Sequence, residues 1–286
     1  MPELAEVAYI RRRWNPGLGR TVATVRLHPR AGVFKTTDPA LLARHLPGAR
    51  LDSSEAAAKQ MLFRLTTADR AQTPLWLGIH LGMTGELLVR PHGLPDQKAD
   101  HLILDQPSAP GDAQPGQSLV FSDFRMFGRV QFHVGPDAPV WWAGIAPAVT
   151  SPAFTVAAVS DFLRRRARAP IKAVLLMQER FPGVGNWMAD EILWRAAIHP
   201  ARRCGDLTPA EVKKLHKETV WVCEQSLRLI GEADTPEWPD PPATWLFQHR
   251  WEEGGLCPRT RTPLERATIG GRTTCWSPSR QKLPPG

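Results

Sequence analysis

The chain of 286 residues sets 36 Lys and Arg against 28 Asp and Glu, for a net charge of +8 and a pI near 9.8. That excess favours a polyanionic partner without choosing among DNA, RNA and a membrane surface. No apolar run is long enough to span a bilayer, no apolar segment follows Met1 as in a secretory signal, and the four cysteines form no CxxC pair; a membrane protein, an exported protein and a disulfide scaffold are therefore not expected. The length suffices for two domains with cores of their own.

The chain opens Met-Pro-Glu-Leu-Ala-Glu-Val. An initiator Met before a small residue is normally removed, leaving Pro2 with a free secondary amine. Such an amine attacks a sugar aldehyde carbon and forms an iminium without first losing a proton. Glu3 and Glu6 stand beside it as candidate proton carriers; the plainer reading is that Pro2 begins a helix. Val7, Ile10 and Trp14 share one helical face, which Asn15-Pro16-Gly17 ends. Residues 21–27 read as a strand, and residues 38–46 as a short helix with Pro39 behind a capping Asp38. Short strand-like runs follow at 61–65, 75–80, 86–90, 101–104, 118–121 and 128–134. Turn-rich segments separate them, which predicts an antiparallel sandwich or barrel. Met83 sits at the tip of the His80–Gly85 turn, where a methionine serves a core poorly and suits a wedge between bases. No dinucleotide-binding or phosphate-loop glycine pattern occurs.

Residues 135–152 are rich in Pro, Ala and Gly and mark a boundary. The expected division is 1–135 as a first domain, 136–150 as linker, 151–235 as a helical domain and 243–286 as a terminal element. Thr155 caps a helix running to about Arg168, with Val159, Phe162 and Leu163 inward and Arg164 to Arg166 on its solvated face. Pro170-Ile171-Lys172 restarts a helix through Met177. In QERFPGVGNWMADEIL, residues 178–193, Pro182, Gly183 and Gly185 make a tight turn before another helix. Its free N–H groups, with the Asn186 side chain, can hold a phosphate, although turn-then-helix is equally a structural cap. Thr208-Pro209-Ala210-Glu211 is a capping box opening a helix that runs to Ile230 and stops at Gly231. Residues 232–242 form an acidic, Pro-rich connector. The eleven tryptophans, against one tyrosine, have no explanation at this level.

PELAEV resembles the PELPEV start of the formamidopyrimidine-DNA glycosylase (Fpg/Nei) family, base-excision enzymes with an N-terminal proline nucleophile, and GVGNWMADEIL resembles that family's helix–two-turn–helix signature. The resemblance implies an α+β fold, with an N-terminal antiparallel β-sandwich flanked by helices and a C-terminal helix–two-turn–helix domain. It implies Pro2 and Glu3 as catalytic, with Glu6 and Glu191 steadying the N-terminal amine. Lys59 occupies the place of a lysine that assists catalysis and contacts DNA, in an altered AAAKQML context. HLGMTG resembles HLGMSG, and DFRMFG resembles DPRRFG, which implies a wedge of Met83, Arg125 and Phe127 filling the gap left by a flipped nucleotide. Lys98, His101, Lys172 and Asn186 are implied as DNA-binding. The tail resembles a zinc finger, but only Cys257 keeps its ligand position, Thr260, Ser277 and Arg280 replacing the others. A zincless β-hairpin finger is therefore expected, with Arg272 at its tip clamping phosphate, no metal ligands and no cofactor.

The function so implied is that of a bifunctional DNA glycosylase and abasic-site lyase. It would flip an oxidised base out of double-stranded DNA, a purine such as 8-oxoguanine or formamidopyrimidine being favoured. A monomer at the bacterial nucleoid, in the cytoplasm and away from membranes, is expected. An abasic-site lyase or oxidised-pyrimidine glycosylase is the alternative, because the longer Gly/Thr loop of 8-oxoguanine-excising relatives is not visible in residues 232–242. A non-catalytic damaged-DNA-binding protein is the alternative of another class.

Overall fold

A computed structural model of the protein describes residues 1–28, 32–108, 115–251 and 253–283. The chain forms two compact units, one of Met1–Pro2 with Glu6–Gly144 and the other of Glu3–Ala5 with Ile145–Gly286. Among the described residues, no helix is long and apolar enough to cross a membrane.

In the first unit, α1 (Leu4–Arg12), which runs in from Glu3–Ala5, is followed by β1 (Thr24–Leu27), α2 (Pro39–His45) and seven further strands. These are β2 (Arg50–Ala57), β3 (Gln60–Thr66), β4 (Pro74–His80), β5 (Gly85–Pro91), β6 (Asp100–Gln106), β7 (Gln117–Asp123) and β8 (Arg129–Val134). They make two four-stranded antiparallel sheets, ordered β1-β6-β7-β5 and β2-β3-β4-β8. Trp14 joins the two sheets. Its ring lies 4.8 Å from that of Phe63 on β3, and its Nε1 donates to the Leu88 carbonyl of β5 at 3.1 Å. Strand β2, with the sequence RLDSSEAA, is made of residues poor in strand propensity and was not expected from the sequence. Pairing decides it, since β2 covers the edge of β3 from Arg50↔Thr66 to Ala57↔Gln60. Within residues 136–150, α3 (Val140–Ala143) carries Trp141 onto Gly78 of β4, where a Cβ would stand 2.4 Å from the indole.

The second unit holds α4 (Val156–Arg164), α5 (Ile171–Leu175), α6 (Asn186–Ala196), α7 (Pro209–Ser226) and the hairpin β9 (Glu265–Ile269)–β10 (Arg272–Trp276). Thr155 caps α4 through Ala158 N, and the reciprocal box of Thr208 and Glu211 opens α7. Helix α7 ends in a π turn, Leu227–Gly231. Gly270 and Gly271, at φ 61° and 75°, form the two-residue turn whose twist suits a hairpin.

Asp190 of α6 is the unit's buried junction. Its carboxylate takes Lys172 Nζ from α5, Arg250 Nη2 at 2.6 Å and the Cys275 backbone N–H of β10 at 3.1 Å. Around it, Trp194, Leu246, Cys257, Leu264 and Cys275 form an apolar cluster, and Arg259 and Arg280 lie 4.6 and 5.4 Å from the Trp194 ring. A further part of the tryptophan content gathers alongside. Arg195 lies 3.9 Å from the Trp221 ring and 4.8 Å from the Trp245 ring, and Trp187 lies 6.3 Å from Trp245. Flat guanidinium–indole contacts bury cations at low cost.

Asp190→Asn leaves two buried cations without their counter-charge. We expect a loss of about 3–5 kcal/mol in urea unfolding followed by tryptophan fluorescence; an unchanged midpoint would show that the junction contributes nothing.

Candidate active site

Glu3 is buried, and its carboxylate is held by the first turn of α6. Gly185 N and Met188 N donate to one oxygen at 3.0 and 3.1 Å, and Trp187 N donates to the other at 3.0 Å. The free N–H groups and positive end of a helix favour an anion there. The turn therefore holds an anion, but that anion is Glu3; the expected phosphate seat on these N–H groups is occupied from within the chain. Gly185 is required by contact, because a Cβ would lie 2.2 Å from Glu3 Cδ. Gly183, at φ 87°, accepts the Leu4 N–H at its carbonyl at 3.0 Å and faces the Leu4 side chain. The same turn thus fixes the start of α1 and the residue that follows the half-buried Pro2. Glu6, one turn into α1, is buried.

Three expectations around this turn change. Lys172, expected at phosphate, is wholly buried and donates to Asp190 and, at 2.6 Å, to the Asn186 carbonyl. Burial pulls its ammonium below the usual range and Asp190 opposes that pull. Its task is to hold α5 to α6, because a lysine buried this way presents nothing to a ligand. Glu191, expected to steady the N-terminal amine, has both oxygens engaged elsewhere, by Arg195 Nε and by Leu246 N, each at 2.7 Å. Burial pushes its carboxyl up to about 7 against the pull of Arg195. Asn186 directs Nδ2 to the Thr273 carbonyl of β10 at 2.8 Å, while its buried Oδ1 has no partner among the described residues. It ties the turn to the hairpin beside Arg272, and Arg272 itself is exposed.

In the first unit, the turn between β4 and β5 and the loop between β7 and β8 are joined by Asp123, a buried residue that sequence reasoning passed over. One oxygen accepts from Thr84 Oγ1 at 2.6 Å and the other from Gly128 N at 2.6 Å. Its N–H donates to Ala99 O, and its carbonyl accepts from Met126 N and from His101 Nε2. An Asp at a strand end ahead of a tight turn is the available signal. Gly82, at φ 62°, lets the turns touch, since a Cβ would meet Phe127 C at 2.4 Å. Met83, Arg125 and Phe127 are all exposed on this frame, with the Arg125 guanidinium 4.8 Å from the Phe127 ring. Lys98 is exposed. His101 is not; it is buried, with Nε2 2.8 Å from the Asp123 carbonyl, where it helps position the loop. Lys59 is nearly buried, one residue after Ala58 at φ 54° in the β2–β3 turn. Burial and then the charges of Arg129 and Lys59 keep the His80 imidazole below its usual range, and His80 Nδ1 accepts from Gly82 N at 3.0 Å.

At the finger, the donor set does not fit zinc. Among the described residues, no three His, Cys, Asp or Glu side chains converge, and tetrahedral structural zinc needs four thiolate or imidazole ligands. Hydroxyls stand in two of the remaining places, at Thr260 and Ser277, and a guanidinium in the third, at Arg280. Thr260 Oγ1 lies 2.8 Å from Thr262 Oγ1 and 3.1 Å from Ser279 Oγ, and Ser277 Oγ lies 3.1 Å from Ser279 Oγ. Trp194 Nε1 donates to Cys257 Sγ at 3.4 Å. Burial pushes the Cys257 thiol up, but hydrogen bonds from Ser277, Thr260 and Trp194 outweigh it and bring it to about 6.

Gly185→Ala is expected to destabilise the protein by about 1–3 kcal/mol through overpacking. In a Glu3→Ala background the same change is expected to cost much less, since the colliding carboxylate is gone. Equal costs in the two backgrounds, by denaturant unfolding, would show that the Glu3 contact does not set the need for glycine.

The sequence is similar to known proteins along its whole length. Residues 1–130 match the formamidopyrimidine-DNA glycosylase N-terminal domain, and residues 145–235 match the formamidopyrimidine-DNA glycosylase H2TH domain. The formamidopyrimidine-DNA glycosylase of Symbiobacterium thermophilum is 33% identical over 300 residues, covering 100% of this chain and 91% of its own. That of Streptomyces avermitilis is 35% identical over 295 residues, covering 99% of each. In fold, the chain is similar to Lactococcus lactis Fpg (MutM), solved with DNA containing an oxidised pyrimidine, at a TM-score of 0.82 and 24% identity, covering 99% of this chain and 100% of the other. With both domain families matched in order and relatives above 30% identity end to end, the chain belongs to the formamidopyrimidine-DNA glycosylase family of base-excision repair.

Proposed function

We propose that this protein is a bifunctional DNA glycosylase and abasic-site lyase that uses Pro2 as nucleophile on double-stranded DNA carrying an oxidised base or an abasic site. The observation that carries the reading is the Glu3 carboxylate, pinned by three backbone N–H groups of α6 immediately after Pro2. A nucleophile at a chain terminus needs its neighbour fixed, or its amine samples too many positions to attack a single carbon. Once Met1 is removed, the Pro2 nitrogen attacks C1′ and the glycosidic bond breaks toward the base, which leaves with a proton. The C1′–O4′ bond then opens, O4′ taking a proton to become a hydroxyl, and the Pro2–C1′ iminium forms as the nitrogen gives up its proton. Glu3 supplies and takes up protons at the sugar, and Lys59 assists. The iminium then acidifies C2′; loss of that proton expels the 3′ phosphate, and water releases Pro2 and the cut strand. Met83, Arg125 and Phe127 fill the vacated stack while the damaged nucleotide is extruded. Arg272 at the hairpin and Lys98 hold backbone phosphates. The work is placed at the bacterial nucleoid, by a monomer.

Oxidised purines are the favoured substrates, as the relatives' shared name, formamidopyrimidine-DNA glycosylase, suggests. The connector of residues 232–242 favours a second reading, in which oxidised pyrimidines are excised, because it carries no Gly/Thr loop to close over a purine. The Lactococcus protein of similar fold has been solved with oxidised-pyrimidine DNA, with Fapy-dG DNA and with abasic-site DNA.

Borohydride added to the protein with abasic-site DNA is expected to trap a covalent adduct that mass spectrometry places at Pro2. Glu3→Gln is expected to lose excision far more than strand cleavage at preformed abasic sites. An adduct on Lys59, or equal loss of both activities, would overturn these assignments, and a panel of lesion duplexes separates the two substrate readings.

We further propose that the finger works without metal. Activity is then indifferent to chelators, and the purified protein holds negligible zinc by elemental analysis; stoichiometric zinc would defeat this.

A further inference from the structure

The loop between β7 and β8 exposes more apolar surface than the wedge of Met83, Arg125 and Phe127 accounts for. Four consecutive residues, 124 to 127, are exposed. Phe124 is 78% exposed, Phe127 58% and Met126 44%. Phe124 is the most exposed aromatic side chain among the described residues. It stands at the corner of the turn closed by Met126 N on Asp123 O at 3.1 Å, with Arg125 next in the turn. Met126 adopts φ 53°, a conformation that costs a non-glycine residue about 1 kcal/mol or more. Fixed turn geometry, strain and exposed rings on one short loop are costly without a partner.

The loop is not loose. Asp123 clamps it through Thr84, Gly128 and Arg125 N, and Gly82 abuts it from the neighbouring turn. Thermal wandering of Phe124 is therefore limited to its own χ angles. Phe124 shares its short loop with the exposed side chains of Arg125 and Phe127, and the exposed Arg129 opens the next strand. An exposed aromatic ring on a loop that also carries an exposed guanidinium side chain suits a nucleobase joined to phosphate, and suits a neutral apolar protein surface poorly.

We propose that Phe124 is a second stacking residue, taking an unstacked nucleobase next to the gap that Met83, Arg125 and Phe127 occupy. The proposal rests on the reading of this protein as one that opens damaged duplex DNA. Two exposed rings three residues apart on one clamped loop then flank Arg125 in sequence, and Arg125 itself lies 4.8 Å from the Phe127 ring. Phe124 is a binding residue here and touches no reacting atom.

The test is equilibrium binding of wild type, Phe124→Ala, Phe124→Leu and Phe124→Trp to a duplex carrying a tetrahydrofuran abasic analogue. Measurements span several salt concentrations, with an unmodified duplex and melting temperatures alongside. Loss of one base–aromatic stack predicts about fivefold to a hundredfold weaker binding of the analogue duplex by Phe124→Ala. The salt slope should stay unchanged, because no charge is removed. Trp should restore binding and Leu should not. Unaltered affinity in Phe124→Ala, full rescue by Leu, or a lowered melting temperature in Phe124→Ala would overturn the proposal. If the wild type itself does not prefer the analogue duplex over the unmodified one, the functional reading fails instead, and the two failures are told apart in one experiment.

Discussion

The arrangement of the site depends on one helix end. The first turn of α6 has N–H groups that no residue within the helix can satisfy, and the carboxylate of Glu3 satisfies three of them. This interaction spans more than 180 residues of sequence. It aligns an acidic side chain with a helix dipole. Its geometric condition is the absence of a side chain at Gly185, where even one methyl group would displace Glu3. A glycine that looks like ordinary turn chemistry is thus a requirement of the seat that holds Glu3.

Behind that helix end, the second unit is held by groups that a compositional reading assigns to the surface. Asp190, Lys172 and Arg250 form a buried set in which one carboxylate balances two cations and also accepts the β10 backbone. Removing water from such charges is expensive unless each has its partners, and here the partners come from α5, α6, the segment ending at Arg250 and the hairpin. The hairpin gains its attachment from this junction, from the Asn186–Thr273 bond and from Trp194, whose indole donates to Cys257 and packs with Arg259 and Arg280. Side-chain packing and hydroxyl contacts occupy the place in which the zinc-binding pattern would put metal bonds, and part of the large tryptophan content finds its use there.

The first unit solves a different problem, which is to keep apolar side chains exposed without letting them collapse onto the sheet. Two adjacent turns are joined through Asp123, and Gly82 and Gly128 let their backbones approach. Buried hydrogen bonds to a charged acceptor are stronger than neutral ones, so the frame resists the pull of its own exposed rings. The cost appears locally, in the left-handed backbone of Met126.

Local rules were legible in the sequence. The caps at Thr155 and Thr208, the Gly270-Gly271 turn, the exposed Met83 and Phe127 and most strands follow from residues within a few positions of one another. So does the loss of the zinc pattern at Thr260, Ser277 and Arg280. Strand β2 was not legible, because its residues favour no strand and only the open edge of β3 recruits them. Nor were the roles of Lys172, His101 and Glu191. A lysine, a histidine and a glutamate read as surface groups or DNA contacts until their partners are known, and those partners lie 18, 22 and 55 residues away. Sequence alone determined the family motifs, the basic charge and the turn chemistry, which act over short range. Tertiary structure alone decided which charged groups are free for a ligand and which are consumed inside, because burial and pairing depend on residues that only folding brings together.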